Sequence, residues 1–230
     1  MKGRALIANR PSPSKTVEDY LLNIYMMSSE GRSVIAARLA EVLEVAPPTV
    51  TATLHRMSRD GLITVTNRKE VQLTESDHLL AETMVRRHRL AERLLIDILG
   101  VEWADVHEEA HRFEHAISPR VEERILAVLG EPTTCPHGSP IPGTGAIMVK
   151  DAVRLDEVSP GEHVAVVRIS EEAEDDRALL GYFQRSGLLP GREFEVIEVE
   201  PYNSLIVLRD DHESIPVSLN VAGKIWVRRL

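Results

Sequence analysis

The chain has 230 residues, of which 43% are hydrophobic and 27% are charged, so it has the composition of a globular protein built from one large domain or two to three small ones. No segment has the pattern of a signal peptide and no apolar run approaches the ~18–20 residues of a membrane span, so we expect a cytoplasmic protein without membrane contact. The single cysteine, Cys135, excludes an internal disulfide framework.

The first 74 residues differ from the rest of the chain in charge. They have a formal net charge of +3, whereas residues 75–230 have −12, and together these give the net charge of −9. A basic segment attached to an acidic body favours contact of this segment alone with a polyanion such as DNA.

The basic segment also has the pattern of a winged helix-turn-helix. Apolar spacing predicts a helix over residues 16–27, a second over 35–43 and a third that starts near Pro48 and ends before Gly61. The runs LITVT and VQLT flank NRKE, which predicts a β-hairpin, the wing; a plain helical hairpin followed by a β-ribbon is the alternative. Candidate contacts to DNA on the third helix and at the tip of the wing are Pro48, Thr49, Thr51, Thr53, His55, Arg56, Arg59, Arg68 and Lys69.

A long helix is predicted from Leu79 to Gly100. It carries His88 and Glu92 one turn apart on one face. Such a pair on a helix surface is more often a solvated contact than a metal site, so these two residues alone do not predict a metal.

The nine-residue stretch HEEAHRFEH, which begins at His107, concentrates possible metal ligands. On one continuous helix at ~100° per residue, four of its side chains fall within an arc of roughly 100°: His107, His111, Glu114 and His115. Phe113 points to the opposite side, where it can pack. Three imidazoles and a carboxylate on one stripe suit Zn²⁺, Fe²⁺ or Mn²⁺, so we predict that the stripe binds metal.

The same stretch matches H-E-x-x-H, the zinc-protease pattern in which the glutamate is the general base. A protease also needs an open coordination position and a substrate cleft, whereas here Glu114 and His115 would fill the coordination sphere of the metal. Glu108 lies about 100° around the helix from His107, so it need not face the metal. A zinc-dependent hydrolase that uses His107, Glu108 and His111 is therefore the competing interpretation.

The chain resembles the iron- and manganese-dependent repressors typified by the diphtheria toxin repressor in five successive stretches: TVEDYLLNIY, LAEVLEVAPPTVTATLHRMSRDGLI, RRHRLAERLLIDILG, VHEEAHRFEHAIS and CPHGSPIPG. The resemblance covers essentially the whole chain and keeps the order of the family's signatures. It implies a metal-dependent repressor of transcription that controls metal-ion homeostasis.

The resemblance also implies two metal sites in each subunit. The activating site would consist of Asp19, His111, Glu114 and His115. The second site would consist of His88, Glu92, His107, Glu171 and Glu174. The expected ion is Mn²⁺ or Fe²⁺, and Co²⁺, Ni²⁺ and Zn²⁺ are expected substitutes in vitro.

The chain departs from the family pattern at several positions. Asp19 stands where the iron-responsive members have methionine, and His111 stands where they have cysteine, so the site resembles that of the manganese-responsive branch. That branch has a further acid at the position of Leu22. Many relatives have glutamine at the position of Ala52, so their base contacts do not transfer to this chain. Cys135 is expected to be a loop residue outside the site.

The C-terminal part has a different composition. The Pro- and Gly-rich stretch TCPHGSPIPGTG starts a linker. Five short β-rich runs follow, interrupted by a helix over residues 176–186, and they predict a small closed barrel. The resemblance implies that this barrel is SH3-like, or FeoA-like. The predicted fold is mainly α with a β-rich C-terminal domain. Its parts are a winged helix-turn-helix (1–80), a helical metal-binding and dimerisation domain (81–145), a linker (146–160) and a small SH3-like β-barrel (161–230).

Apolar residues on several faces of the helical part favour a C₂ homodimer, which would place two recognition helices on a palindromic operator in double-stranded DNA. We therefore predict a metal-activated repressor without enzymatic activity. A winged-helix protein with a purely structural metal is the third alternative, and it would bind DNA equally well after chelation.

Overall fold

The computed structural model describes residues 13–210 and 213–230, so the first twelve residues of the predicted 1–80 domain lie outside the described part. Within the described ranges, no helix is long and apolar enough to cross a membrane.

The chain folds as two compact units. The first unit contains the described chain from residue 13 up to His88 together with Glu114–Ser118. The second unit contains Arg89–Phe113 and Pro119–Leu230.

The first unit holds the predicted winged helix-turn-helix, whose elements are α1 (Lys15–Ser29), α2 (Ala36–Val42), α3 (Pro47–Arg59), β1 (Ile63–Val65), β2 (Val71–Leu73) and the beginning of α4 (Glu75–Asp97). Pro47 and Pro48 open α3, where the missing N–H costs no hydrogen bond and the fixed φ suits the helix. The side chains of Val50, Leu54 and Met57 are buried in the core of this unit. Because α3 is held by this apolar face, its polar face stays exposed.

The hairpin after α3 confirms the predicted wing. β1 and β2 pair antiparallel, and the Thr66 N–H donates to the Glu70 carbonyl oxygen (2.9 Å) at the base of the turn. Arg68 and Lys69 are exposed at the tip, and Lys69 adopts a left-handed conformation with φ 62°. The tip therefore presents two cations to the solvent.

The predicted continuous helix over HEEAHRFEH is wrong in its last residues. α5 (Val106–Phe113) ends early, and Glu114–Ala116 form a 3₁₀ turn in which the Ile117 N–H donates to the Glu114 carbonyl oxygen (3.1 Å). A 3₁₀ turn separates successive side chains by about 120° instead of about 100°, so the four predicted ligands do not form one straight stripe. Phe113, which we expected to pack, is 37% exposed.

The second unit also contains the C-terminal domain. Its further elements are α6 (Pro119–Val128), β3 (Val153–Arg154), β4 (His163–Ile169), α7 (Glu171–Glu174), α8 (Arg177–Arg185), β5 (Glu193–Glu200), β6 (Leu205–Arg209), β7 (Ser214–Ser218), α9 (Leu219–Ala222) and β8 (Ile225–Arg229). The six strands pair antiparallel in the order β3-β8-β4-β5-β6-β7, and bulges interrupt β4 and β5, as is common where small barrels bend. Phe183 and Phe194 are buried in the core of this domain. The mainly α fold with a small SH3-like β domain at its C-terminal end is confirmed.

The predicted linker, residues 146–160, is shorter in the structure. β3 pairs with β8, and the side chains of Leu155 and Val158 are buried in the core of the C-terminal domain. Sequence reasoning did not find β3 because two residues are too few for an alternating pattern.

The loop that follows α6 docks on β4. The Ile169 N–H donates to the His137 carbonyl oxygen (2.9 Å), and Gly138 lies directly against the backbone of Val167 and Arg168. This docking fixes the position of His137 beside the end of β4, from which α7 follows.

Candidate metal centres

Three side chains of metal-ligating types meet in the first unit, where α1 approaches the 3₁₀ turn. Asp19, Glu114 and His115 each place one donor atom within 4.8 Å of the other two. His115 Nε2 lies 3.0 Å from Asp19 Oδ1 and 3.5 Å from Glu114 Oε1. The structure thus brings together three of the residues predicted for the activating site.

Burial makes this cluster unfavourable without a cation. Glu114 is completely buried. Burial raises the pKa of the Asp19 carboxyl, the neighbouring His115 lowers it, and the Glu114 carboxylate raises it further. Because a carboxyl with a raised pKa tends to keep its proton, a metal ion at this place would compete with that proton and would bind more tightly as the pH rises.

The two ring nitrogens of His115 have different surroundings. Nδ1 lies 2.8 Å from Glu18 Oε2. Nε2 is buried, and among the described residues it has no hydrogen-bond partner. Glu18 therefore holds the imidazole at Nδ1, and Nε2 faces the Asp19 and Glu114 carboxylates.

His88, which we predicted for the second site, contacts the first cluster in this unit. Its Nδ1 lies 2.6 Å from Glu114 Oε2. The view of His88 and Glu92 as a solvated surface pair is wrong, because both side chains are completely buried.

A second cluster lies in the second unit. Glu92 of α4, His107 of α5 and Glu174 of α7 each place one donor atom within 4.8 Å of the other two. His107 Nδ1 lies 3.1 Å from Glu92 Oε1 and 3.3 Å from Glu174 Oε2. His111, predicted for the activating site, lies in this unit with its Nε2 3.2 Å from His107 Nε2.

Sequence reasoning missed His137 and misjudged Cys135. His137 Nδ1 lies 3.3 Å from Glu92 Oε1 and 3.4 Å from Glu174 Oε2. Cys135, His137 and Glu92 also have donor atoms within 4.8 Å of one another, so Cys135, which we expected outside the site, lies beside the second cluster. The signal in the sequence was the Cys-x-His spacing of CPHG, which puts two metal-ligating residue types in one short loop.

The buried carboxylates of the second cluster require compensating positive charge. Burial alone would lower the pKa of His107, but hydrogen bonds to Asp175 and to two glutamates raise it well above its ordinary value. Burial would also lower the pKa of His137, and the charges of Glu174 and Glu92 raise it instead. Burial would raise the pKa of Glu174, but the charge of His137 and a hydrogen bond from His107 lower it to about 2. Protons on the imidazoles supply the positive charge that a metal ion would otherwise provide.

Glu171, predicted as a ligand together with Glu174, has a different environment. Its Oε1 accepts hydrogen bonds from the Arg89 guanidinium (2.7 Å) and the Ser139 hydroxyl (2.9 Å). Arg89 is itself buried and also donates to the Pro140 carbonyl oxygen. Glu171 therefore balances a buried guanidinium, whereas Glu174 contributes to the donor cluster.

The donor atoms of both clusters fit a divalent cation. His115 Nε2 and His137 Nδ1 are buried and face carboxylate oxygens at 3.0–3.4 Å without a well-aligned hydrogen bond, and Glu174 Oε1 is buried without a hydrogen-bond partner among the described residues. Buried polar atoms of this kind destabilise a fold unless something binds them. The first cluster offers carboxylates and an imidazole, which suit Mn²⁺ and Fe²⁺, and the second adds a thiol whose pKa burial raises to about 12.

The zinc-hydrolase interpretation finds no support in α5. Glu108, the proposed general base, is exposed and pairs with the Arg112 guanidinium. His107 is buried in the second cluster. The glutamate of the H-E-x-x-H match thus faces solvent while its first histidine faces the interior.

The predicted DNA-binding residues are exposed with one exception. The exposed ones are Pro48, Thr49, Thr51, His55, Arg56, Arg59, Arg68 and Lys69. Thr53 is only 6% exposed and lies on the buried side of α3, one turn from Val50 and Met57, a position that disfavours the predicted contact with DNA.

Three family models match the chain over successive segments. Residues 14–71 match the model described as the iron dependent repressor, N-terminal DNA binding domain. Residues 74–143 match the model described as the iron dependent repressor, metal binding and dimerisation domain. Residues 153–229 match the FeoA domain.

Individual proteins also match most of this chain. The iron-dependent repressor IdeR of Mycobacterium leprae is 39% identical over 225 residues, which cover 94% of this chain and 97% of that protein. The diphtheria toxin repressor of Corynebacterium diphtheriae is 44% identical over 149 residues, 65% of each chain. A solved manganese-dependent transcriptional repressor in complex with manganese has a TM-score of 0.82 at 32% identity, and the match covers 93% of this chain and 99% of that one. ScaR with bound Zn²⁺ has a TM-score of 0.77 at 29% identity over 95% of this chain and 100% of that one.

Proposed function

The chain belongs to the iron-dependent repressor family, and from this we propose that it is a dimeric repressor of transcription that Mn²⁺ or Fe²⁺ activates for operator binding. The observation that carries the proposal is the position of Asp19. This residue lies on α1, inside the winged helix-turn-helix, and shares a donor cluster with Glu114 and His115 of the 3₁₀ turn. A cation held by these residues would tie the DNA-binding elements to the turn.

Such a tie couples metal binding to DNA binding. If the metal favours the arrangement of the winged helix that fits DNA, then DNA must tighten metal binding by the same factor. Couplings of this kind typically amount to about 1–3 kcal/mol, or roughly 5–150-fold in affinity. The ion would supply positive charge between the carboxylates, while the protein holds the donors towards one another. The predicted ligands of the activating site also include His111.

We propose that the second cluster binds a second ion through Glu92, His107 and Glu174, and that His137 joins them. Glu171 was predicted as a further ligand, and its hydrogen bonds to Arg89 favour a supporting role instead. His88 remains a predicted ligand of the second site, because the Glu114 carboxylate engages only its Nδ1.

The proposed homodimer is supported by exposed apolar side chains at the end of α4 and on α5 and α6. These side chains are Ile98, Leu99, Phe113, Val121 and Val128. They lie in the segment that matches the metal binding and dimerisation model. A C₂ dimer would bury such a patch and pair two copies of α3 on a palindromic operator in double-stranded DNA.

The test is operator binding with and without metal. A duplex is selected from a random library by the Mn²⁺-loaded protein, and its affinity is then measured anaerobically by fluorescence anisotropy, first in a chelator and then with Mn²⁺ or Fe²⁺ restored. We expect binding to be lost in the chelator and regained with either ion. Equal affinity in the chelator would favour a purely structural metal and would contradict metal activation.

The wing should contribute to DNA binding through phosphate contacts. We expect Arg68→Gln with Lys69→Asn to weaken binding on all sequences alike and to flatten the plot of log affinity against log salt by about two units, since each phosphate contact contributes roughly one. Asparagine is chosen at position 69 because it tolerates the left-handed backbone there. Lys150→Gln removes an exposed lysine of the predicted linker and is the control. A double variant with the parent's salt dependence would show that the hairpin does not contact DNA.

The choice of metal should follow the ligand chemistry of the activating site. Its predicted ligands are two carboxylates and two imidazoles, so we expect Mn²⁺ and Fe²⁺ both to activate and propose Mn²⁺ as the signal. Asp19→Met with His111→Cys introduces a thioether and a thiolate and should shift the response towards Fe²⁺, Co²⁺ or Ni²⁺. The measurement is the concentration of each ion that gives half-maximal operator binding, taken anaerobically. An unchanged rank order of metals in the double variant would contradict the assignment.

A further inference from the structure

We propose that Glu18 is a positioning residue of the activating site, which fixes the His115 imidazole so that its Nε2 faces the metal. The inference rests on the proposed metal activation. Its basis is the 2.8 Å contact between Glu18 Oε2 and His115 Nδ1, made by two side chains that are only 16% and 13% exposed. Nothing in the resemblance or in the spacing of residues pointed to Glu18.

The direction of this hydrogen bond determines the tautomer of the ring. A carboxylate accepts hydrogen bonds, so the Nδ1–H of His115 must be the donor. In the neutral ring, Nε2 then carries the lone pair, which is the form that binds a metal. Nε2 lies 3.0 Å from Asp19 Oδ1, and two neighbouring ligands ~2.1 Å from one ion are ~3 Å apart, so the spacing already fits shared coordination.

Glu18 itself is not placed to be a ligand of the same ion. Its oxygen lies at Nδ1, whereas the ion would lie at Nε2, and the two lone-pair directions of an imidazole diverge. Asp19, the next residue on α1, reaches the ring from the other nitrogen. Two adjacent acids of α1 thus hold one histidine between them, one as an orienting partner and one as a co-ligand.

This arrangement gives α1 a contact with the 3₁₀ turn that does not need metal. Because the ring is oriented before the ion arrives, binding need not restrict its rotation or select the tautomer. Orienting partners of this kind typically change metal affinity by roughly 10–100-fold. Glu18 would therefore set the metal concentration at which the repressor responds.

The experiment compares Glu18→Ala and Glu18→Gln in the full-length protein. Glutamine can still accept a hydrogen bond from Nδ1–H, but alanine cannot. We expect alanine to weaken the binding of one of the two Mn²⁺ ions by roughly 10–100-fold, measured from the EPR signal of the free ion during a titration, and glutamine to recover most of that loss. Glu41→Gln, which removes an exposed acid of α2, is the control for charge and should leave the affinity unchanged.

A spectroscopic measurement separates positioning from a general loss of fold. In protein with ¹⁵N-labelled histidine that is loaded with diamagnetic Cd²⁺, the Nδ1–H proton of His115, assigned with a His115→Asn variant, should be visible and exchange slowly with solvent in the parent and in Glu18→Gln. In Glu18→Ala we expect this proton to exchange rapidly. Parental Mn²⁺ affinity or unchanged exchange of the Nδ1–H proton in Glu18→Ala would overturn the proposal.

The Asp19→Ala variant distinguishes this failure from failure of the proposed function. If Asp19→Ala binds one Mn²⁺ ion instead of two while Glu18→Ala keeps parental affinity for both, the site is correct and only the role of Glu18 is wrong. If both variants bind Mn²⁺ as the parent does, the activating site itself is misassigned and both proposals are overturned.

Discussion

Replacement of Glu114 by alanine is expected to abolish metal-dependent DNA binding while leaving a folded dimer. Glu114 is completely buried and connects two histidines, because its Oε2 contacts His88 and its Oε1 faces His115. Without its carboxylate the cluster loses both a ligand and the charge that would attract a cation. The ratio of operator affinities with and without Mn²⁺, which we expect to be roughly 5–150 in the parent, should fall to one.

Fluorescence anisotropy on the selected operator measures this ratio, and circular dichroism with size-exclusion chromatography checks fold and dimer. The loss of the His88 partner should reduce stability by about 1–3 kcal/mol, which a folded domain of this size tolerates. His115→Ala should have the same effect on the ratio. Glu108→Ala is the matched control, since this glutamate of α5 is exposed and would be essential only to a hydrolase. A Glu114→Ala protein that still responds to Mn²⁺ normally would contradict the site.

The DNA-binding part could be predicted from sequence because its signals are local. Each signal lies within the helix or hairpin that it predicts. These signals are the helical spacing of Val50, Leu54 and Met57, the two prolines at the start of α3 and the apolar runs around NRKE. Thr53 was the exception, since polarity alone did not reveal that its position falls on the buried side of the helix.

The end of α5 could not be predicted from periodicity. A helical projection assumes a constant angle per residue, and nothing in HEEAHRFEH interrupts the pattern before the 3₁₀ turn at Glu114. The projection nevertheless selected Glu114 and His115, because metal-ligating residue types were concentrated there. Composition identified these donors, but only the turn explains how they face Asp19.

The second cluster depends on contacts between distant parts of the chain. Glu92, His107, His137 and Glu174 come from two helices, a loop and a short helix after β4, and no local spacing relates them. His137 enters the cluster because its loop docks on β4. The Cys-x-His spacing of CPHG marks a possible metal-binding loop, but only the tertiary structure shows which helices this loop meets.

The position of that loop depends on Gly138, and Gly138→Ala should therefore be strongly destabilising. Gly138 has φ +94°, and an added Cβ would lie 2.2 Å from the Val167 carbonyl oxygen and 2.7 Å from Arg168 Cα. Both atoms belong to β4, where Val166 and Arg168 pair with β8 on either side of the Val167 bulge, so we expect the loop to move instead. Its movement would break the hydrogen bond from the Ile169 N–H to the His137 carbonyl oxygen and withdraw the imidazole from the second cluster.

We expect Gly138→Ala to cost about 2–4 kcal/mol of folding free energy, which combines backbone strain with overpacking, and to reduce bound Mn²⁺ from two ions per subunit to one. Calorimetry gives the change in thermal midpoint, and equilibrium dialysis gives the metal content. Gly145→Ala is the matched control, because Gly145 also has a positive φ (+83°) but no atom of residues 13–210 or 213–230 within 4 Å of an added Cβ. It should show only the backbone strain, about 1–2 kcal/mol, and keep both ions. If the two variants behave alike, the close approach to β4 does not hold the loop, and the second cluster does not depend on its docking.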